Sequence, residues 1–83
     1  MEQRLDFWLW CARVASTRSA CQQIASSGLV RINRLPTAKA HALVRVGDVI
    51  TVPLNAGVRV LRVIGFTERR GDAAIAHKLY DEL

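Results

Sequence analysis

Cysteine is scarce in this sequence. Cys11 and Cys21 are the only two, too few for a disulfide scaffold, and they read as small buried hydrophobes that stay thiols in a reducing compartment. Histidine is equally scarce. Neither His41 nor His77 has a Cys or His partner at metal-ligand spacing, so no metal and no cofactor are expected. Acidic residues number seven against twelve basic ones, and Asp6, Asp48 and Asp72 each fall where a cap or turn accounts for them. There is no Gly-rich phosphate loop and no G-x-S-x-G, and a chain of 83 residues has little room for a deep pocket. The expectation is a non-enzyme. No apolar run approaches the roughly 18 residues of a membrane span; the longest is Phe7-Trp8-Leu9-Trp10-Cys11-Ala12. Met1 to Asp6 lacks the charged and apolar regions of a secretory signal, which makes the cytoplasm the expected location.

Hydrophobic residues supply 51% of the chain, enough for one core and too many for disorder, so a single domain over residues 1–83 is expected. The formal net charge is +5, and it is unevenly placed. Residues 1–46 hold seven basic and two acidic residues, whereas residues 47–83 hold five of each. A basic half on a small domain suggests a polyanionic partner, most commonly nucleic acid.

From Leu5 the apolar residues Leu5, Trp8, Leu9, Ala12 and Ala15 keep the spacing of one helix face, with Asp6 or a neighbour suited to its N-terminal end. Phe7, Trp10 and Val14 lie on the opposite side and need a cover of their own. Ser16-Thr17-Arg18-Ser19 ends this helix and starts a second, capped by Thr17 or Ser16 and running to about Ser26, with Gly28 as its left-handed stop. Its apolar side is Ala20, Cys21 and Ile24. After Gly28 the period becomes two, and Leu29 to Asn33 reads as a strand. Pro36 and Thr37 mark an irregular connection. Ala42 to Val46 either pairs or leads into the turn at Gly47-Asp48. Val49 to Val52 is a strand stopped by Pro53, Asn55-Ala56-Gly57 a hairpin turn, and Val58 to Ile64 a longer strand. Arg69 to Asp72 is a loop with Asp72 as an N-cap. Ala73 to Leu83 reads as an amphipathic helix with the stripe Ile75, Leu79 and Leu83, expected to cover Phe7 and Trp10.

The order of these pieces carries more than any one of them. Arg4-Leu5-Asp6, Thr17-Arg18-Ser19, Gly28-Leu29-Val30-Arg31-Ile32-Asn33 and Val46-Gly47-Asp48-Val49-Ile50 together resemble the S4 RNA-binding domain, also called the αL RNA-binding motif. The pattern covers about residues 4–52; residues 53–83 would support it. The resemblance implies an α+β fold, with two N-terminal helices packed on a small, mostly antiparallel sheet and a short C-terminal helix. Trp8-Leu9-Trp10-Cys11-Ala12-Arg13 and the tail Thr67-Glu68-Arg69-Arg70-Gly71 are similar to the small bacterial heat-shock protein 15 family. That likeness implies binding to structured ribosomal RNA, and a role with large ribosomal subunits that still carry a nascent chain after translation has failed. The sequence departs from the family at Phe7, where a lysine is usual, and at Arg34, where glycine usually follows the asparagine. Arg accepts positive φ poorly, so the loop Asn33–Pro36 is expected to be reshaped, with Arg34 adding a phosphate contact. Some members also carry a long basic C-terminal extension.

With no exposed aromatic platform to stack single-stranded bases, folded RNA read by shape and phosphate is the expected partner. Arg18, Thr17 and Ser19 meet the free N–H groups of a helix start, a ready anion site. Arg4 and Arg13 from the first helix, Gln22 from the second, and Arg31, Asn33, Arg34 and Lys39 beyond Gly28 complete the expected RNA-binding set, on one surface. Plainer readings stand beside these: Arg13 as a solvated charge, Arg31 as an edge gatekeeper, and Arg45 as a partner of Asp48. The expected partners are ribosomal RNA or tRNA and the large ribosomal subunit, with no membrane, and the chain is expected to act as a monomer. Two alternatives remain: an accessory that delivers RNA to a modifying enzyme in trans, and a protein-interaction module that exposes Phe7 and Trp10.

Overall fold

In the computed structural model, which describes all residues 1–83, the chain pairs before its first helix begins. Strand β1 (Glu2–Arg4) lies antiparallel to β4 (Leu43–Arg45), with Gln3 opposite Val44. Of the two readings of Ala42 to Val46, pairing is the one the fold takes, whereas β1 is three residues long with no alternation to read. Helix α1 (Leu5–Cys11) follows directly, and no side chain caps it. Its first donors are satisfied from elsewhere. Leu5 N–H donates to the Ala42 carbonyl (2.7 Å) and Asp6 N–H to the Ala40 carbonyl (3.1 Å), while Phe7 N–H donates to Asp6 Oδ1 (2.8 Å).

Helix α1 ends sooner than its apolar spacing suggests. Arg13 has φ +60°, its N–H donates to the Trp10 carbonyl and the Val14 N–H to the Leu9 carbonyl. This is the double-bonded Schellman stop, made with arginine where glycine is usual, so no glycine announces it. Ala15 therefore lies outside the helix. Helix α2 (Arg18–Ser26) begins as expected: the Thr17 hydroxyl accepts from Ala20 N–H at 3.0 Å. Beyond the cap at Ser27, Gly28 takes φ +83°.

The remaining strands form a five-stranded antiparallel sheet in the order β3-β2-β5-β6-β7. They are β2 (Val30–Ile32), β3 (Leu35–Thr37), β5 (Val49–Leu54), β6 (Gly57–Val63) and β7 (Tyr80–Glu82). Two sequence expectations are corrected here. Pro36 and Thr37 are not irregular: β3 is an edge strand opposite β2, and an edge tolerates a proline that cannot donate. The C-terminal helix does not reach Leu83. Helix α3 is only Ala73–His77, capped as expected by Asp72, whose Oδ1 accepts from Ile75 N–H at 3.0 Å. The chain then returns as β7 along β6, with Leu61 opposite Glu82. Glu82 also pairs with Arg59 at 2.8 Å across the two strands, a tie that helical periodicity cannot register.

Fourteen buried residues make one core between the helices and the inner sheet face. Leu5, Trp8 and Leu9 come from α1, Cys21 and Ala25 from α2, and Val30, Ile50, Val52, Leu61 and Val63 from the sheet. The architecture is α+β, two N-terminal helices on a mostly antiparallel sheet with a short C-terminal helix, as the sequence implies.

Candidate nucleic-acid interface

The two helix starts differ in what they leave open. The first donors of α1 are already bonded to the Ala40 and Ala42 carbonyls. At α2 the Thr17 hydroxyl takes the Ala20 N–H, which leaves the N–H groups of Arg18 and Ser19 without intrahelical acceptors. No acidic residue stands in that first turn. The local field therefore favours an anion at α2.

Arg18 sits on this open end, exposed and paired with no carboxylate. Its guanidinium carbon lies 5.0 Å from the Phe7 ring centroid and 6.0 Å from that of Trp10. The two rings meet edge to face at 6.0 Å. A guanidinium laid over aromatic faces keeps its N–H edge free, and the stack restricts its rotamers, so less freedom is lost when it grips a phosphate. Phe7, the departure at the lysine position, is thus a platform for Arg18, not an exposed patch.

The other side of α1 is covered by the loop over residues 64–72, not by the C-terminal helix. Trp8 Nε1 donates to the Gly65 carbonyl (3.2 Å) and Gln3 Nε2 to the Thr67 carbonyl (2.7 Å). Arg70 lies 5.6 Å from the Trp10 ring centroid and its Nε donates to the Trp10 carbonyl at 3.0 Å. Arg13 Nη1 donates to the Gly71 carbonyl at 2.8 Å, so Arg13 ties that loop to the end of α1. These contacts correct the expectation that α3 lies over Phe7 and Trp10. Arg70, which the sequence reading passed over, carries one of the longest-range ties in the molecule.

Asp6 is also more than a cap. It is fully buried and accepts from Arg4 Nε (3.1 Å) and Nη2 (2.9 Å), and from Gln22 Nε2 (3.5 Å). Arg4 and Gln22 are therefore held by a buried carboxylate that links α1 to α2. Gln22 stands four residues after Arg18 on the same face of α2, so this group adjoins the Arg18 cluster. Exposed Lys39 belongs to the loop whose Ala40 carbonyl receives Asp6 N–H. Arg4, Thr17, Arg18, Ser19, Gln22 and Lys39 thus lie near the two helix starts, with Arg13 at the end of α1.

Arg31, Asn33 and Arg34 do not join them. Val30 is buried in the core and Ile32 packs against it, so alternation sends Arg31 to the outer face of the sheet. Asn33 is occupied internally: its Nδ2 donates to Asp48 Oδ1 and its Oδ1 accepts from Val49 N–H, each at 2.9 Å. Asn33 (φ 51°) and Arg34 (φ 75°) form a two-residue turn with both φ positive, the type I′ pattern. The loop is not reshaped by Arg34; the arginine adopts the left-handed conformation. Arg45 pairs through its side chain with Glu2, not with Asp48, which accepts instead from the Arg45 backbone N–H. Arg31 thus lies on the sheet face away from the helices, and Asn33 and Arg34 lie in the β2–β3 turn, so the residues expected on one surface do not all share one.

Burial pushes the thiols of Cys11 and Cys21 up from their ordinary range, and no group of His, Cys, Asp and Glu is placed to hold a metal ion.

Comparison with known proteins places this geometry. The S4 domain model matches residues 3–50, the stretch that contains both helix starts and the Asn33 turn, and the chain belongs to the S4-domain family, a class of RNA-binding modules. Within that class it is a relative of heat shock protein 15. The trimeric structure of Vibrio cholerae heat shock protein 15 superposes with a TM-score of 0.89 at 32% identity, covering all of this chain and 83% of that one. The heat shock protein 15 homolog of Haemophilus influenzae is 35% identical over 81 residues, 98% of this chain and 61% of its own length. Heat shock protein 15 of Escherichia coli K12 is 33% identical over 82 residues, 99% of this chain and 61% of its own. The chain thus spans about three-fifths of the length of these curated relatives.

Proposed function

We propose that this chain binds structured ribosomal RNA, by shape and phosphate, through the surface centred on Arg18, and works with the large ribosomal subunit on complexes whose nascent chain has stalled. One observation carries the reading: an exposed arginine without a carboxylate partner, laid over Phe7 and Trp10 beside the open donors of α2. The likeness to heat shock protein 15 supports the ribosomal and stress setting. In this reading the chain acts in the cytoplasm, without catalysis and without a cofactor, and one chain is the binding unit. No helix is long and apolar enough to cross a membrane.

Sedimentation with purified large subunits, empty or carrying a blocked nascent chain, tests the proposal. Preferential recovery with the blocked subunits is expected. Equal recovery with tRNA or with a modifying enzyme in place of subunits would favour the accessory role in trans. The protein-interaction module is disfavoured because Phe7 and Trp10 are half-buried under Arg18 and Arg70.

A further inference from the structure

The face of the sheet turned away from the helices carries a feature that the Arg18 surface does not explain. The register places Arg31, Thr51 and Val60 in one row across β2, β5 and β6, and Val49, Arg62 and Asp81 in the next across β5, β6 and β7. Between the Asn33-Arg34 turn and Leu83 lies a shallow hollow of about 430 Å³, floored by Val49, Thr51 and Val60. Arg34 stands at its edge, and Arg31 and Arg62 flank its floor. Asp81 is the only carboxylate that the register puts on this face. Neither Arg31 nor Arg34 pairs with a carboxylate.

Arg34 holds φ +75°, a conformation that glycine takes freely and a side chain takes at a cost. Its side chain gains no ion pair within the fold in return. Strain of this kind, in an exposed arginine beside a hollow, points outward to a ligand. The hollow has a mixed floor, two valines beside the Thr51 hydroxyl, with a planar cation at the rim and two more cations beside it. This combination suits one unstacked nucleotide: the base lies on Val49 and Val60 under the Arg34 guanidinium, and its phosphate meets Arg31 or Arg62.

We propose that this outer sheet face is a second RNA contact, which takes a single extrahelical nucleotide of the same folded RNA that Arg18 grips. The proposal rests on the RNA reading above, and the test separates the two. The probes are a short RNA hairpin, fully paired or with one bulged adenosine, with binding followed by anisotropy. The bulged hairpin should bind roughly five- to tenfold more tightly, as expected for one stacked base. Arg34→Gly should raise the melting temperature and erase that preference. Val60→Glu, outward on the sheet, should also erase it. Arg18→Ala should weaken both hairpins alike and leave their ratio intact.

Equal binding of both hairpins by the unaltered chain, or a preference that survives both Arg34→Gly and Val60→Glu, overturns the second contact while the Arg18 surface stands. Failure to bind either hairpin overturns both. In methyl NMR spectra, Val49 and Val60 should shift with the bulged hairpin and not with adenosine monophosphate at the same concentration. A stronger shift with the mononucleotide would assign the hollow to a free nucleotide and overturn the proposal.

Discussion

Arg18 shows how a single side chain gains function from its neighbours. In sequence it is one of twelve basic residues. In the fold its guanidinium is laid over Phe7 and Trp10 and stands at the helix start whose donors remain open. Arg18→Ala should weaken RNA binding by about 1–2 kcal/mol and lower the salt slope by about one phosphate contact, with the melting temperature little changed. Anisotropy titrations at several salt concentrations measure both. Arg18→Lys should recover only part of the loss, because an ammonium neither stacks nor grips phosphate in a fork. Asn33 makes the opposite point. Its side chain is consumed by Asp48 and Val49, so Asn33→Ala should destabilise the fold before it affects binding, and a stable variant with weakened binding would sink that assignment.

At the scale of elements, the most consequential junction is the one that Asp6 makes between α1 and α2. A fully buried carboxylate receives two bonds from Arg4 and one from Gln22. Asp6→Ala removes the acceptor and leaves those donors facing each other, a loss of about 2 kcal/mol after discounting for the half-exposed arginine, measurable by urea denaturation. The C-terminal element carries a second test. Leu79 is 3% exposed and belongs to the core, though it lies at the entry to β7 and not on a helix over Phe7. Leu79→Asp buries an unpaired charge and should cost about 3 kcal/mol or more. An unchanged melting temperature would contradict that packing. The helix expected to Leu83 was mistaken because Ile75, Leu79 and Leu83 keep helical spacing by coincidence. Ile75 is 37% and Leu83 58% exposed, so the stripe never becomes a buried face.

For the whole molecule, the uneven charge becomes a statement about two faces. Arg4, Arg18 and Lys39 lie near the helix starts and Arg13 at the end of α1, while the outer sheet face carries Arg31 and Arg62 with Arg34 at its edge. The core between them holds both cysteines, whose thiols burial pushes above the ordinary value of 9.0. A group with a raised folded pKa favours the protonated state in the fold. Above about pH 9 the unfolded chain therefore ionises first, and stability falls as pH rises further. Urea midpoints at pH 8 and pH 10 should show this fall, and it should shrink when both cysteines are replaced by alanine. Both thiols should likewise react with a thiol reagent only as fast as the fold opens.

The sequence by itself determined the class of this protein: two helices, a sheet, one core, a basic N-terminal half and a Thr17-Arg18-Ser19 helix start. Each of these is written locally, as periodicity, capping chemistry or charge. Only the tertiary structure decided which cations share a surface. Arg31 leaves the Arg18 group because Val30 and Ile32 claim the inner face of β2. Arg13 and Arg70 are drawn to backbone carbonyls nearly sixty residues away. The return of β7 along β6, like these ties, follows from hydrogen bonds between distant segments. No local pattern of side chains records such bonds, because their energy depends on where the rest of the chain has already packed.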